Sequence, residues 1–232
     1  TTYPEIAEAH GDFDAWIRSG LGLNDAETRV IDAAHGEALP PVAACAGVVI
    51  TGSHAMVTEA RPWSVRVARW LPAALEAGVP ILGICYGHQL LARSMGGQVG
   101  FHPEGKEAGT VEIHLGAAGP EDALFRSFPR RFRAHAAHAQ TVLRLPPGAV
   151  RLAGNAHEPH HAFRLGDHAW GVQFHPEFTA AVMRAYVQAE RAIMAAAGYD
   201  VPALIETARA TPAAARVLER FAKIVRDMQG DV

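Results

Sequence analysis

The chain is poor in cysteine, with only Cys45 and Cys85 among 232 residues. Two thiols cannot build a disulfide framework, so each is either core filler or chemistry. Long apolar runs are missing as well. The longest, roughly Val42 to Ile50, falls short of the about 18–20 residues that cross a bilayer. The opening TTYPEIAEAHGDFD has neither the basic nor the apolar region of a signal peptide. A cytoplasmic protein with no membrane partner is the expectation. There is no excess of positive charge: Lys+Arg 21 stand against Asp+Glu 24, for a formal net charge of -3, and no block of like charge occurs. Such a chain offers a phosphate backbone no attractive field, so nucleic acid is not an expected partner. No G-x-x-x-x-G-K-[ST] loop is present either, nor another glycine-rich nucleotide loop after a strand.

What is present is an ordinary globular composition, 49% apolar and 19% charged, with no repeat, low-complexity tract or linker. One domain over 1–232 is therefore expected, with a helical C-terminal extension from about Asp200. The first 27 residues read as a loop and a short amphipathic helix, with Phe13, Trp16 and Ile17 on one face and Gly20 to Asn24 as its stop. Two apolar runs follow, TRVIDA (Thr28 to Ala33) and the stronger AGVVITGS (Ala46 to Ser53), which has the continuous pattern of a buried parallel strand. A helix is expected from Pro62 to Ala77, broken or kinked at Pro72. VPILGI (Val79 to Ile84) reads as another buried strand and runs straight into the helix YGHQLLARSMGG. Strand and helix alternating with short joints predict a doubly wound α/β fold.

From Gln98 to Gln173 the pieces shorten: Thr110 to Leu115, Arg131 to Ala137, Val150 to Gly154, His160 to Leu165 and Trp170 to Phe174 alternate with Pro and Gly turns. Antiparallel strands joining the sheet's edge are expected, giving a mostly parallel but mixed sheet. Val182, Tyr186, Ala189 and Ile193 fall at helical spacing, and Thr211-Pro212 starts a final helix with Val217, Phe221, Ile224 and Met228 on one face.

The chemistry concentrates in Gly83-Ile84-Cys85-Tyr86-Gly87, a G-x-C-x-G where a buried strand meets a helix. This is the thiol form of the nucleophile elbow, a tight turn that holds the side chain out above the carboxyl edge of the sheet. A helix N-terminus beside Cys85 favours the thiolate and supplies free N–H groups for an oxyanion. Cys45 sits in an Ala/Val run without such glycines and reads as filler. A thiolate nucleophile needs a histidine, commonly oriented by a carboxylate. Thirteen histidines are available, and two stand in the same tetrapeptide, Phe101-His102-Pro103-Glu104 and Phe174-His175-Pro176-Glu177. Spacing favours His175 only modestly, because it follows the clearer strand AWGVQF. His157, His160 and His161 in HEPHH read as a solvated hairpin tip and not as a metal site.

GICYGHQLLA taken together with GVQFHPE resembles the class I glutamine amidotransferases over nearly the whole amidotransferase-type domain. The resemblance implies a flavodoxin-like architecture, Cys85 as nucleophile, His175 as base and acid, and Glu177 as orienting carboxylate. It further implies the N–H groups of Gly52 and Tyr86 as oxyanion hole, and Ser53, Gln89, His138 and Ala139 as substrate-binding positions. His102 is then a coincidence of sequence. The family's sheet opens with a strand that this sequence does not show. The implied reaction splits the γ-glutamyl amide of glutamine or a γ-glutamyl compound through a thioester, without metal or organic cofactor. The helical extension points to a free-standing hydrolase. The alternative is a glutaminase subunit feeding ammonia to a separate synthetase partner, and a silent binding protein on the same fold is the third possibility.

Overall fold

The computed structural model describes residues 2–230. Helices α1 (Pro4–His10) and α2 (Phe13–Leu21) come first, followed by a long connection to strand β1 (Val48–Ile50). The TRVIDA segment is not a strand. Asp32 N–H bonds the Glu37 carboxylate at 2.9 Å, Arg29 pairs with the same carboxylate at 3.1 Å, and Val30 is left exposed. Short-range polar bonds outcompete a strand that finds no neighbour.

Helix α3 (Pro62–Glu76) runs unbroken through Pro72. Pro72 lies on the exposed face, while Val67, Leu71 and Ala74 are buried on the other, so packing holds a helix whose lost backbone bond faces water. Strand β2 (Ile81–Ile84), helix α4 (Tyr86–Ser94) and strand β3 (Gln98–Phe101) follow. Next come strands β4 (Glu107–Leu115), β5 (Arg131–His138), β6 (Gln140–Arg144), β7 (Val150–Gly154), β8 (Ala162–Leu165) and β9 (Ala169–Val172). The chain then folds into α5 (Ala180–Ala189), α6 (Arg191–Ala196), α7 (Val201–Thr207) and α8 (Pro212–Gly230). The helical spacing from Val182 to Ile193 is thus divided at Glu190, where the backbone leaves helical geometry.

Seven strands form one sheet in the order β1-β2-β9-β8-β7-β4-β5, and β3 pairs with β6 in a separate ribbon. β1, β2 and β9 are parallel, and the remaining neighbours join antiparallel, which gives the expected mixed α/β sheet. Alternation along the strands sends Leu82, Ile84, Trp170 and Val172 to one face, against Ile17 of α2 and Val217, Leu218 and Phe221 of α8. Ile81 and Ala169 go to the other face, against Val67 and Leu71 of α3 and Leu90 and Leu91 of α4. A third cluster joins Ile6, Phe13, Phe178, Val182, Tyr186 and Val201, which packs α1 and α2 on α5 and α7. Helix α8 therefore forms part of the main core, each fully buried large side chain contributing about 1.5–3 kcal/mol. Among the described residues, no helix is long and apolar enough to cross a membrane.

Candidate active site

β2 carries the chain to Gly83, and α4 starts three residues later. Between them Cys85 adopts φ 49, ψ -99, a conformation that side-chain-bearing residues seldom hold. The flanking glycines make the turn possible by their lack of a side chain. A Cβ on Gly83 would stand 2.4 Å from the Gly87 carbonyl oxygen, and one on Gly87 would stand 2.2 Å from that of Ile50. The Cys85 N–H donates to the Val172 carbonyl at 2.8 Å, tying the elbow to the end of β9. The residue is only 7% exposed, and its thiol faces the Ala137 carbonyl at 3.9 Å.

Three residues beyond β9 lies His175, whose N–H donates to the His135 carbonyl at 2.8 Å, so strand-like pairing with β5 fixes its backbone. Its Nδ1 donates to Glu177 Oε1 at 2.7 Å, with Pro176 holding the two side chains in register. The ring stacks on Phe178 at 4.1 Å between centroids and on Phe13 at 6.2 Å. Burial disfavours a charged imidazole here, but the negative charges of Glu177 and Cys85 outweigh it and raise the His175 pKa to about 10. A Cβ on Gly52 would come within 3.1 Å of both the His175 ring and Phe13, so only glycine fits this close approach without displacing them.

The other positions surround the same cleft of about 270 Å³. The Tyr86 N–H is the first amide of α4, where a helix leaves its donors without partners inside the helix. The Tyr86 hydroxyl bonds Ser64 at 2.5 Å and its ring packs on Trp63, both on α3, so the side chain forms a wall. Ser53 accepts the Ala55 N–H at 3.1 Å. One turn past Cys85, Gln89 Nε2 donates to the Gln140 carbonyl at 2.7 Å and to Gln173 Oε1 at 3.0 Å. His138 closes β5, and Ala139 is the single residue between β5 and β6. The His138 ring is buried, with Nδ1 donating to the Gln140 carbonyl at 3.0 Å and Nε2 facing Glu107 Oε2 at 3.1 Å.

The sequence profile described as Glutamine amidotransferase class-I matches residues 7–194. The chain belongs to this family. The glutamine-hydrolyzing GMP synthase of Aeropyrum pernix is 40% identical over 142 residues, 61% of this chain and 25% of that protein, so the chain matches about a quarter of that relative's length. A glutamine-hydrolyzing GMP synthase subunit of Methanoculleus marisnigri is 32% identical over 180 residues, 76% of this chain and 89% of that one. A glutamine amidotransferase crystal structure from Thermotoga maritima superimposes with a TM-score of 0.71 at 28% identity, covering 84% of this chain and 85% of the other.

In this amidotransferase the twin tetrapeptide goes elsewhere. His102 follows the ribbon strand β3, stacks on His157 at 4.1 Å, and bonds the His157 carbonyl through Nε2 at 2.9 Å. The HEPHH segment is not a solvated tip. Glu158 and His161 are fully buried, because Asn155 Oδ1 accepts the N–H groups of His157 and Glu158 at 3.0 and 2.7 Å and folds the loop inward. Among the described residues, no group of three His, Cys, Asp or Glu side chains is placed to hold a metal ion.

Sequence reasoning missed much of the outer wall of the cleft, made by Tyr3, His54, Lys106, Tyr186 and Glu190. Lys106 pairs with Glu190, which also accepts the Tyr3 hydroxyl at 3.0 Å, and the Tyr186 hydroxyl donates to His54 at 3.2 Å. Burial lowers the His54 pKa and, more strongly, raises that of Tyr186. No local pattern links residues so far apart in sequence.

Proposed function

We propose that this chain hydrolyses the γ-amide of glutamine through a thioester on Cys85 and supplies the ammonia to a separate synthetase partner. The observation that carries the reading is His175, set against Glu177 at 2.7 Å and charged through its proximity to Glu177 and Cys85. The Cys85 sulfur attacks the amide carbon, and the N–H groups of Gly52 and Tyr86 hold the oxyanion. His175 gives its proton to the nitrogen as the C–N bond breaks, and ammonia leaves the thioester behind. Water then attacks the thioester and loses a proton to His175, and glutamate departs as the C–S bond breaks and the Cys85 thiolate reforms beside the protonated imidazole. Glu177 keeps the imidazole oriented and compensates its charge. Ser53, Gln89, His138 and Ala139 frame the glutamyl end, and residues 1–232 act as one domain. The partner is supported by the relatives, which are named as glutamine-hydrolyzing GMP synthases and as a separate subunit of such a synthase. The test is glutamate release from glutamine, with Cys85→Ala as blank, alone and with a candidate synthetase added. Acceleration by the partner supports the assignment, and absence of any Cys85-dependent release removes it.

A second reading, a stand-alone hydrolase of γ-glutamyl compounds, is favoured by the outer wall alone. Tyr3, His54, Lys106, Tyr186 and Glu190 leave more room and charge beside His175 than ammonia needs. Faster turnover on a γ-glutamyl peptide or amine than on glutamine would move the assignment to it.

A further inference from the structure

Behind the glutamyl end of the cleft lies a carboxylate that the chemistry above does not use. Glu107 opens β4 and is only 8% exposed, and no lysine or arginine pairs with it among the described residues. The groups facing it are His138 Nε2 at 3.1 Å, His161 Nε2 at 3.0 Å and Asn155 Nδ2, which donates at 2.7 Å. A buried carboxylate is costly to keep, and an apolar side chain would fill the same space more cheaply, so its presence calls for a role.

The β4–β5 register sets Glu107 directly opposite His138. His138 reaches forward to the Gln140 carbonyl, which also accepts from Gln89, so two donors from different elements converge on one peptide oxygen. The neighbouring Ala139 carbonyl is pinned separately by the His102 N–H at 2.9 Å. The β5–β6 turn, whose backbone borders the cleft at Ala137, Ala139 and Gln140, is therefore held from behind by a relay from Glu107 through His138. Neither Glu107 nor Asn155 lines the cleft.

We infer that Glu107 is a positioning residue for substrate, acting through His138 to fix the turn that receives the glutamyl group. The inference rests on the glutaminase reading. It predicts a particular kinetic signature, because the turn meets the bound substrate throughout the reaction, while Cys85 is held at the end of β9, His175 at His135, three residues before His138, and Glu177 by its bond to His175.

Wild type, Glu107→Gln, His138→Phe and the double variant would be compared for glutamate release across glutamine concentrations, normalised to the fraction of Cys85 titrated by iodoacetamide. Glu107→Gln is expected to raise KM on the order of tenfold, with kcat within about threefold and the iodoacetamide rate within about twofold. His138→Phe should raise KM similarly, and the double variant should be no worse than the more affected single, as for two residues on one relay. If Glu107→Gln does not fold, His138→Phe tests the same link from the other side, and an unchanged KM there overturns the proposal. An unchanged KM in a folded Glu107→Gln overturns it too. Additive effects in the double variant also overturn it, as does loss confined to the active fraction and melting temperature, which would mark mere structural support. Wild type that neither hydrolyses glutamine nor is protected by it from iodoacetamide would overturn the glutaminase reading along with this one, whereas hydrolysis insensitive to Glu107 defeats this one alone.

Discussion

Two identical tetrapeptides, Phe101-His102-Pro103-Glu104 and Phe174-His175-Pro176-Glu177, occupy different surroundings. The second follows a central parallel strand, its histidine is backed by Phe178 and bridged to β5, and its carboxylate turns back to the imidazole. The first lies at the end of a strand of the two-stranded ribbon, where Phe101 is exposed, the largely exposed Glu104 carboxylate faces His157 Nδ1 at 3.6 Å instead of its own histidine, and His102 accepts the Glu104 N–H at 3.1 Å. Proline confers the same local stiffness in both. Position in the sheet decides which imidazole meets the thiol, so a motif carries chemistry only through the element that delivers it.

That contrast can be broken most forcefully at the thiol. Cys85→Ala should lower glutamate release by about 10⁴ while far-UV circular dichroism and melting remain cooperative. His175→Ala should fall in the same range, whereas His102→Ala should stay within about twofold of wild type in steady-state rate, and the reverse order would exchange the roles of the two motifs. Glu177→Gln should cost about a hundredfold less than the nucleophile, because it removes orientation and charge and leaves bond-making groups in place. Gly52→Ala should reduce kcat by about tenfold, its new methyl pressing on the His175 ring while folding is little affected.

A separate effect is on stability. A histidine whose folded pKa is raised from 6.5 to about 10 adds stability that is complete below pH 6.5 and lost as pH rises through about 10. Denaturant midpoints across that window should fall in wild type and fall less in Cys85→Ala, which lacks one of the negative partners.

Much of this architecture was legible because its signals are local. The G-x-C-x-G spacing, the apolar runs of β1, β2 and β9, and the short strands from Thr110 onward each announce themselves within about ten residues. The cleft's outer wall was not, since Tyr3, Lys106 and Glu190 meet only through the packing of α1, the start of β4 and the α5–α6 joint. HEPHH misled because charge and proline read as exposure, and nothing in the five residues reveals that Asn155 folds them inward or that His161 and His138 find Glu107. TRVIDA misled for the opposite reason, as an apolar run becomes a strand only where a partner edge is free.

The left-handed turn at Cys85 sets heat resistance against turnover. A side chain held in that region of backbone space costs about 1–3 kcal/mol, more than the roughly 0.5–1 kcal/mol of chain entropy that a glycine adds to the unfolded state. Cys85→Gly would relieve that strain while giving up the buried sulfur and its pairing with His175. Laboratory evolution that selects survivors of heating, with no demand for product, would be free to discard the one atom on which the proposed reaction depends.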